Sequence, residues 1–199
     1  MVDAALVQAC ADSGLKPAIV EKFIEQAGSP DPLAITVRSG TRVILVPRPS
    51  SPDAAMELVR QYAGKAIVRV GVTQYPAGLG MSDVAELKPD LLDACANVRM
   101  GTSLFAKVYR IVTKWYGSAR NEAFDDAIDA WKSGYFEGIY VFTEPDPGEA
   151  NLAVPHSSAG DSKSHEGAAD PPTPRRGSDS DPNKADTRVD LSKIGGRSP

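Results

Sequence analysis

Cysteine is nearly missing from these 199 residues. Only Cys10 and Cys95 are present, too few for a disulfide-stapled scaffold or a structural zinc site. Histidine is as scarce, and both copies, His156 and His165, fall in the carboxy-terminal quarter. No scaffold positions them there, so the sequence implies no metal, no cofactor and no His-assisted nucleophile. Positive charge is not in excess: 22 Lys and Arg stand against 26 Asp and Glu, a formal charge of -4 at pH 7. That balance gives no footprint for a nucleic-acid partner, and Arg175-Arg176 is too short to make one. No apolar run reaches the length of a bilayer span. The opening stretch, Met1 to Ala11, lacks a basic cluster and includes Asp3, so it does not read as a secretory leader. Gly78-Leu79-Gly80 lacks the strand-turn-helix setting of a phosphate loop.

Aromatic residues stop at Phe142. From Thr143 to Pro199 the chain turns to Pro, Ser, Asp, Gly and Lys, as in Pro171-Pro172-Thr173-Pro174. Such a stretch buries too little apolar area to offset its ordering entropy. The expected organisation is one ordered domain, 1–142, and a disordered tail, 143–199.

Within the domain the fold class reads as α+β and mostly α. Leu6, Val7 and Cys10 recur at helical spacing up to Ala11. A second helix opens at Lys16-Pro17, where proline suits the first turn, and carries Ile19, Val20, Phe23 and Ile24 inward until Gly28, Pro30 and Pro32 end it. Glu25 falls in its last turn. Ile35 to Val46 alternates around Arg38-Ser39-Gly40-Thr41, a hairpin signature. Ser51-Pro52-Asp53 starts a third helix through Met56, Val59 and Tyr62. Ile67 to Val70 is a short strand, Leu91 to Tyr116 holds one long helix or two, and Asn121 to Trp131 is the last helix.

Four patches follow one another in a telling order: Glu25-Gln26-Ala27-Gly28-Ser29-Pro30-Asp31-Pro32-Leu33-Ala34-Ile35, Gly71-Val72-Thr73-Gln74, Asn97-Val98-Arg99-Met100-Gly101, and Ala130-Trp131-Lys132-Ser133-Gly134 with Gly138-Ile139-Tyr140-Val141. Together they resemble the signature of the lytic transglycosylases: a catalytic Glu at a helix end before a Pro-Leu-Ala-Ile run, a Gly-Leu-Met-Gln turn, an Asn-Leu-x-x-Gly helix, and an Ala-Tyr-Asn-x-Gly segment closed by Gly-Tyr-Val. The spacing is most similar to the small members that accompany type IV secretion and conjugation machines. Within that group it resembles the TraH conjugal transfer proteins of rhizobial and agrobacterial plasmids. Residues 3 to 142 can be laid over the pattern.

The resemblance implies a lysozyme-like domain with a small hairpin or sheet. It also implies peptidoglycan glycan strands as substrate and components of a conjugation machine as partners. In the secretion-linked members one Cys precedes the Glu helix and another precedes the Asn-Leu-x-x-Gly helix. Cys10 and Cys95 are similar to them, and a bridge between them would suit the periplasm. Two buried free thiols are the competing reading, and the residues do not separate the two.

Cutting the β-1,4 bond between N-acetylmuramate and N-acetylglucosamine requires a proton on the leaving oxygen, and two carboxylates usually share that work. The resembled family manages with one Glu acting as acid and then base, yielding a 1,6-anhydro sugar. Glu25 is the expected catalytic residue, with Gln26, Gln74, Trp131 and Tyr140 as substrate-binding candidates. Apolar neighbours that raise the carboxyl pKa would suit the acid role.

The sequence departs from the pattern at several of these places. Gln26 replaces the family's Ser, Val72-Thr73 its Leu-Met, and Trp131-Lys132 its Tyr-Asn. Trp131 cannot imitate a phenol hydroxyl as both donor and acceptor, although Tyr140 could supply one. The bland reading puts Trp131 in the core and Lys132 on the surface. Three functions therefore stay open: a specialised transglycosylase, a catalytically degenerate glycan-binding or assembly factor, and a cytoplasmic accessory protein unrelated to the wall.

Overall fold

The computed structural model describes residues 3–155, all within one compact unit, Met1–Ser158. Among the described residues, five α-helices and a small antiparallel sheet make a mixed, mostly helical fold. No helix among the described residues is long and apolar enough to cross a membrane.

Helix α1 (Ala4–Cys10) is capped by the Asp3 carboxylate, which accepts from the Ala5 N–H. Helix α2 (Pro17–Ala27) starts on proline, buries Ile19, Val20, Phe23 and Ile24, and stops at Gly28, as its apolar spacing predicts. Strands β1 (Ile35–Ser39) and β2 (Arg42–Ile44) form the expected hairpin. Helix α3 (Pro52–Tyr62) is capped by Ser51 Oγ. Strand β3 (Ile67–Val70) pairs with β1, setting Val37 opposite Val68 and Ile35 opposite Val70. The short β4 (Tyr75–Pro76) completes a sheet of order β2-β1-β3-β4.

Helix α4 (Ala94–Tyr116) is a single rod of 23 residues, which resolves the sequence ambiguity between one helix and two. Asp93 caps its start, and Gly117, at φ 69°, ends it in the left-handed conformation. Helix α5 (Asn121–Ser133) lays Phe124, Ala127, Ile128 and Trp131 inward. A two-residue turn at Glu137-Gly138 then joins β5 (Tyr135–Phe136) to β6 (Ile139–Tyr140).

Two cores result. The helical one is centred on aromatic rings: Phe23 stacks on Phe105 at 4.0 Å, and Trp131 meets Phe23 edge-on at 5.1 Å. The other lies between the sheet and α3, with Val37, Met56, Val59, Val68 and Val70. Cys10 and Cys95 are joined as a disulfide that ties α1 to the start of α4.

The chain beyond Phe142 departs from the expected solvated tail in its first residues. Leu152 is buried against the helical core. The Tyr109 hydroxyl donates to Ala153 O at 2.8 Å, and the Lys107 ammonium donates to Phe142 O and Glu144 O at 2.8 and 2.9 Å. Arg110 and Asp146 form a two-pronged ion pair. Composition hid this strap because main-chain carbonyls, not side chains of the strap, supply most of its anchors. The rest of the expected tail, including His156, His165 and Arg175-Arg176, lies outside the described residues.

Candidate functional site

The motif patches meet at one place, the turn Gly71–Gln74 that follows β3. The end of the Glu25 helix reaches it first: the Ser29 N–H donates to Val72 O at 2.8 Å. Gly28 fits so tightly there that an added Cβ would lie 2.4 Å from Val72 O and 2.7 Å from Ile24 O, both backbone atoms. The third patch arrives from α4. Asn97 Oδ1 accepts from the N–H and the hydroxyl of Thr73, each at 2.9 Å. Its Nδ2 donates to Val70 O at 3.0 Å and to Leu91 O at 2.9 Å. One turn on, a Cβ at Gly101 would collide with the Thr73 side chain at 2.1 Å. The fourth patch closes the knot: the Trp131 indole N–H donates to Thr73 O at 3.1 Å. Thr73, Asn97 and Trp131 are all wholly buried, so this convergence is a satisfied polar core in the sense that buried networks demand.

Gln74 belongs to the same knot. Its Oε1 accepts from the Thr36 hydroxyl at 2.7 Å, and its Nε2 donates to Gly71 O at 3.0 Å. The backbone there sits at φ 52°, a left-handed conformation that costs a non-glycine residue about 1 kcal/mol. These bonds hold it.

Glu25 stands apart from that knot. Its side chain is 66% exposed, and Oε2 accepts from the Lys22 ammonium at 2.8 Å one turn earlier on the same helix. Gln26 is exposed beside it. Trp131 is a core residue, and Lys132 is exposed. The cation paired with Glu25 is thus Lys22, a neighbour that sequence reasoning passed over. Tyr140, 38% exposed, lines a cavity of about 430 Å³ with Arg38 and Lys65, and neither Glu25 nor Gln74 is on its wall.

Arg69 is the polar residue that the sequence reading missed. It is 6% exposed, donates to Gln74 O at 3.3 Å and to Lys132 O at 3.2 Å, and lies over the rings of Trp131 and Phe142 at 5.7 and 5.4 Å. Burial lowers its pKa to about 10, with nearby Tyr140 opposing the shift and Arg38 adding to it. Burial likewise raises the Tyr140 hydroxyl above its ordinary value, against the pull of Arg69. The signal was available: an arginine flanked by Val68 and Val70 in an apolar strand must bury its stem or find acceptors.

The TraH_2 family model matches residues 1–196. A relative from Sinorhizobium fredii (strain NBRC 101917 / NGR234), named uncharacterized protein y4dP, is 52% identical over 98% of this chain and 100% of its own length. No solved structure matches the chain.

Proposed function

The chain belongs to the TraH_2 family, and from that premise we propose that it serves conjugal plasmid transfer as a glycan-binding or assembly factor, with its transglycosylase-like motifs kept as scaffold. The observation that carries this reading is the setting of Glu25. A sole catalytic acid must hold its proton near neutrality, which calls for an enclosed, apolar site. Glu25 instead faces solvent, outside any enclosed apolar site, and its carboxylate accepts a hydrogen bond from the Lys22 ammonium. Two of the motif residues that could have completed a sugar site have other work: Gln74 holds a strained turn, and Trp131 fills the aromatic core. The partners proposed are peptidoglycan strands and components of the transfer machine. The Cys10–Cys95 bridge supports a periplasmic setting, where disulfides persist.

A second reading, active cleavage of the MurNAc–GlcNAc bond within a lysozyme-like domain, draws support from the contact between the Glu25 helix end and the Gln74 turn. Purified peptidoglycan incubated with the full chain separates the two. The scaffold reading expects pelleting of the protein with the wall, or capture of machine components, without release of 1,6-anhydro muropeptides. Anhydro products that disappear in Glu25→Gln would establish the cleavage reading instead.

A further inference from the structure

On the face of the sheet turned away from α3, two arginines stand as diagonal neighbours. Thr36 pairs with Arg69 across β1 and β3, and Arg38 pairs with Ile67; residues two apart on one strand share a face, so Arg38 and Arg69 project to the same side. Like charges so placed repel. A carboxylate would offset this, yet neither guanidinium has one: the three ion pairs among the described residues join other side chains. Arg38 makes no side-chain hydrogen bond among the described residues, and the Nε atoms of both arginines are buried with no acceptor.

The cavity of about 430 Å³ beside them opens between the β1–β2 hairpin tip, the turn before β3 and the loop after β4. Arg38, Lys65 and Tyr140 are on its wall, Ile67 and Leu79 supply apolar surface, and no Asp or Glu lines it. A protein with four more acidic than basic side chains thus has a concavity whose charged lining is wholly basic. Arg69 lies over the Phe142 ring at 5.4 Å, and that ring meets the Tyr140 ring edge-on at 5.5 Å, so a second positive charge stands next to this wall. A buried donor without an acceptor is costly, and a planar guanidinium matches the two oxygens of an oxyanion.

We propose that this cavity is a binding site for an oxyanionic group, a carboxylate or a phosphate, held by Arg38 and Lys65 with the Tyr140 hydroxyl beside it and the field of Arg69 behind. The site lies away from Glu25 and does not depend on the conjugation reading. Its ligand replaces the missing counter-charge and gives a partner to the terminal N–H groups of Arg38, which donate to no group among the described residues.

The test is a titration of the full chain with sodium phosphate and, separately, sodium acetate, with sodium chloride holding ionic strength constant. The arginine Nε–H resonances are followed by NMR. Saturable shifts of the Arg38 and Arg69 signals are expected with at least one of the two anions. Preference for phosphate points to a phosphate ester as the natural group, and preference for acetate to a carboxylate. Loss of a charge-assisted bond in Arg38→Gln should weaken binding about tenfold or more. Lys65→Ala, at an exposed position that does not endanger folding, should weaken it in the same direction. Shifts that chloride alone reproduces, or unchanged affinity in Lys65→Ala together with a folded Arg38→Gln, would overturn the proposal.

Discussion

Asn97 has every hydrogen-bonding position of its amide engaged inside the protein, with Thr73 on the oxygen and Val70 and Leu91 on the nitrogen. Removing it strands donors and acceptors on three segments at once. Each buried group left unpaired costs about 1–3 kcal/mol, so Asn97→Ala should lower unfolding stability by at least about 3 kcal/mol in a urea titration. Gly101→Ala is a smaller insult at the same knot. The added methyl meets the Thr73 side chain, and overpacking of this kind costs about 1–3 kcal/mol. Glu25 provides the contrast. Its charge is solvated and its ion pair exposed, so Glu25→Gln should leave urea stability within about 0.5 kcal/mol of the starting protein.

At the scale of elements, the strap after Phe142 is bound to α4 by groups that titrate. The Arg110 guanidinium beside Asp146 holds that carboxyl below its ordinary value of 3.8. The contribution is complete above that ordinary value and is lost as pH falls through the lower folded value. Hydrogen exchange of the strap amides should therefore accelerate on strong acidification, and Asp146→Asn should show the faster exchange already at neutral pH. At the alkaline end, burial pushes the Tyr109 hydroxyl up to about 12 from an ordinary value of 10.0. The folded protein keeps that proton where the unfolded chain releases it, so this stabilisation is intact below the ordinary value and is lost as pH rises through the folded one. In Tyr109→Phe that part of the alkaline decline should vanish from denaturation curves.

These same elements mark what the sequence could and could not tell. Helices α2, α3 and α5 were legible because apolar residues recur at 3.6-residue spacing next to proline and glycine signals, and the β1–β2 hairpin because its alternation breaks at Ser39-Gly40. Strands β4, β5 and β6 were not, since each has only two residues and no period can be read from two. The strap was hidden because its anchoring carbonyls belong to any sequence. The motif patches adjoin one another at the turn holding Thr73 and Gln74, a meeting that their order along the chain does not by itself reveal. Nor could that order tell whether those side chains face a groove or the interior, because residue identity alone does not carry direction.

For the whole molecule, the Cys10–Cys95 bridge closes a loop with a sequence separation of 85. Cross-links of this kind typically contribute about 2–4 kcal/mol, chiefly by limiting the unfolded chain. Reduction, or Cys10→Ser, should lower the urea midpoint accordingly, and protein taken from an oxidising compartment should migrate faster on a non-reducing gel than after reduction. The central claim is that this fold serves plasmid transfer through its surface and scaffold, not through the Glu25 carboxylate. The measurement that reaches it most directly is plasmid transfer between mating cells carrying Glu25→Gln, with Asn97→Ala alongside as a variant that weakens the scaffold. The account predicts transfer at the unmodified frequency for Glu25→Gln and a clear fall for Asn97→Ala. Abolished transfer from a stably folded Glu25→Gln protein would contradict it.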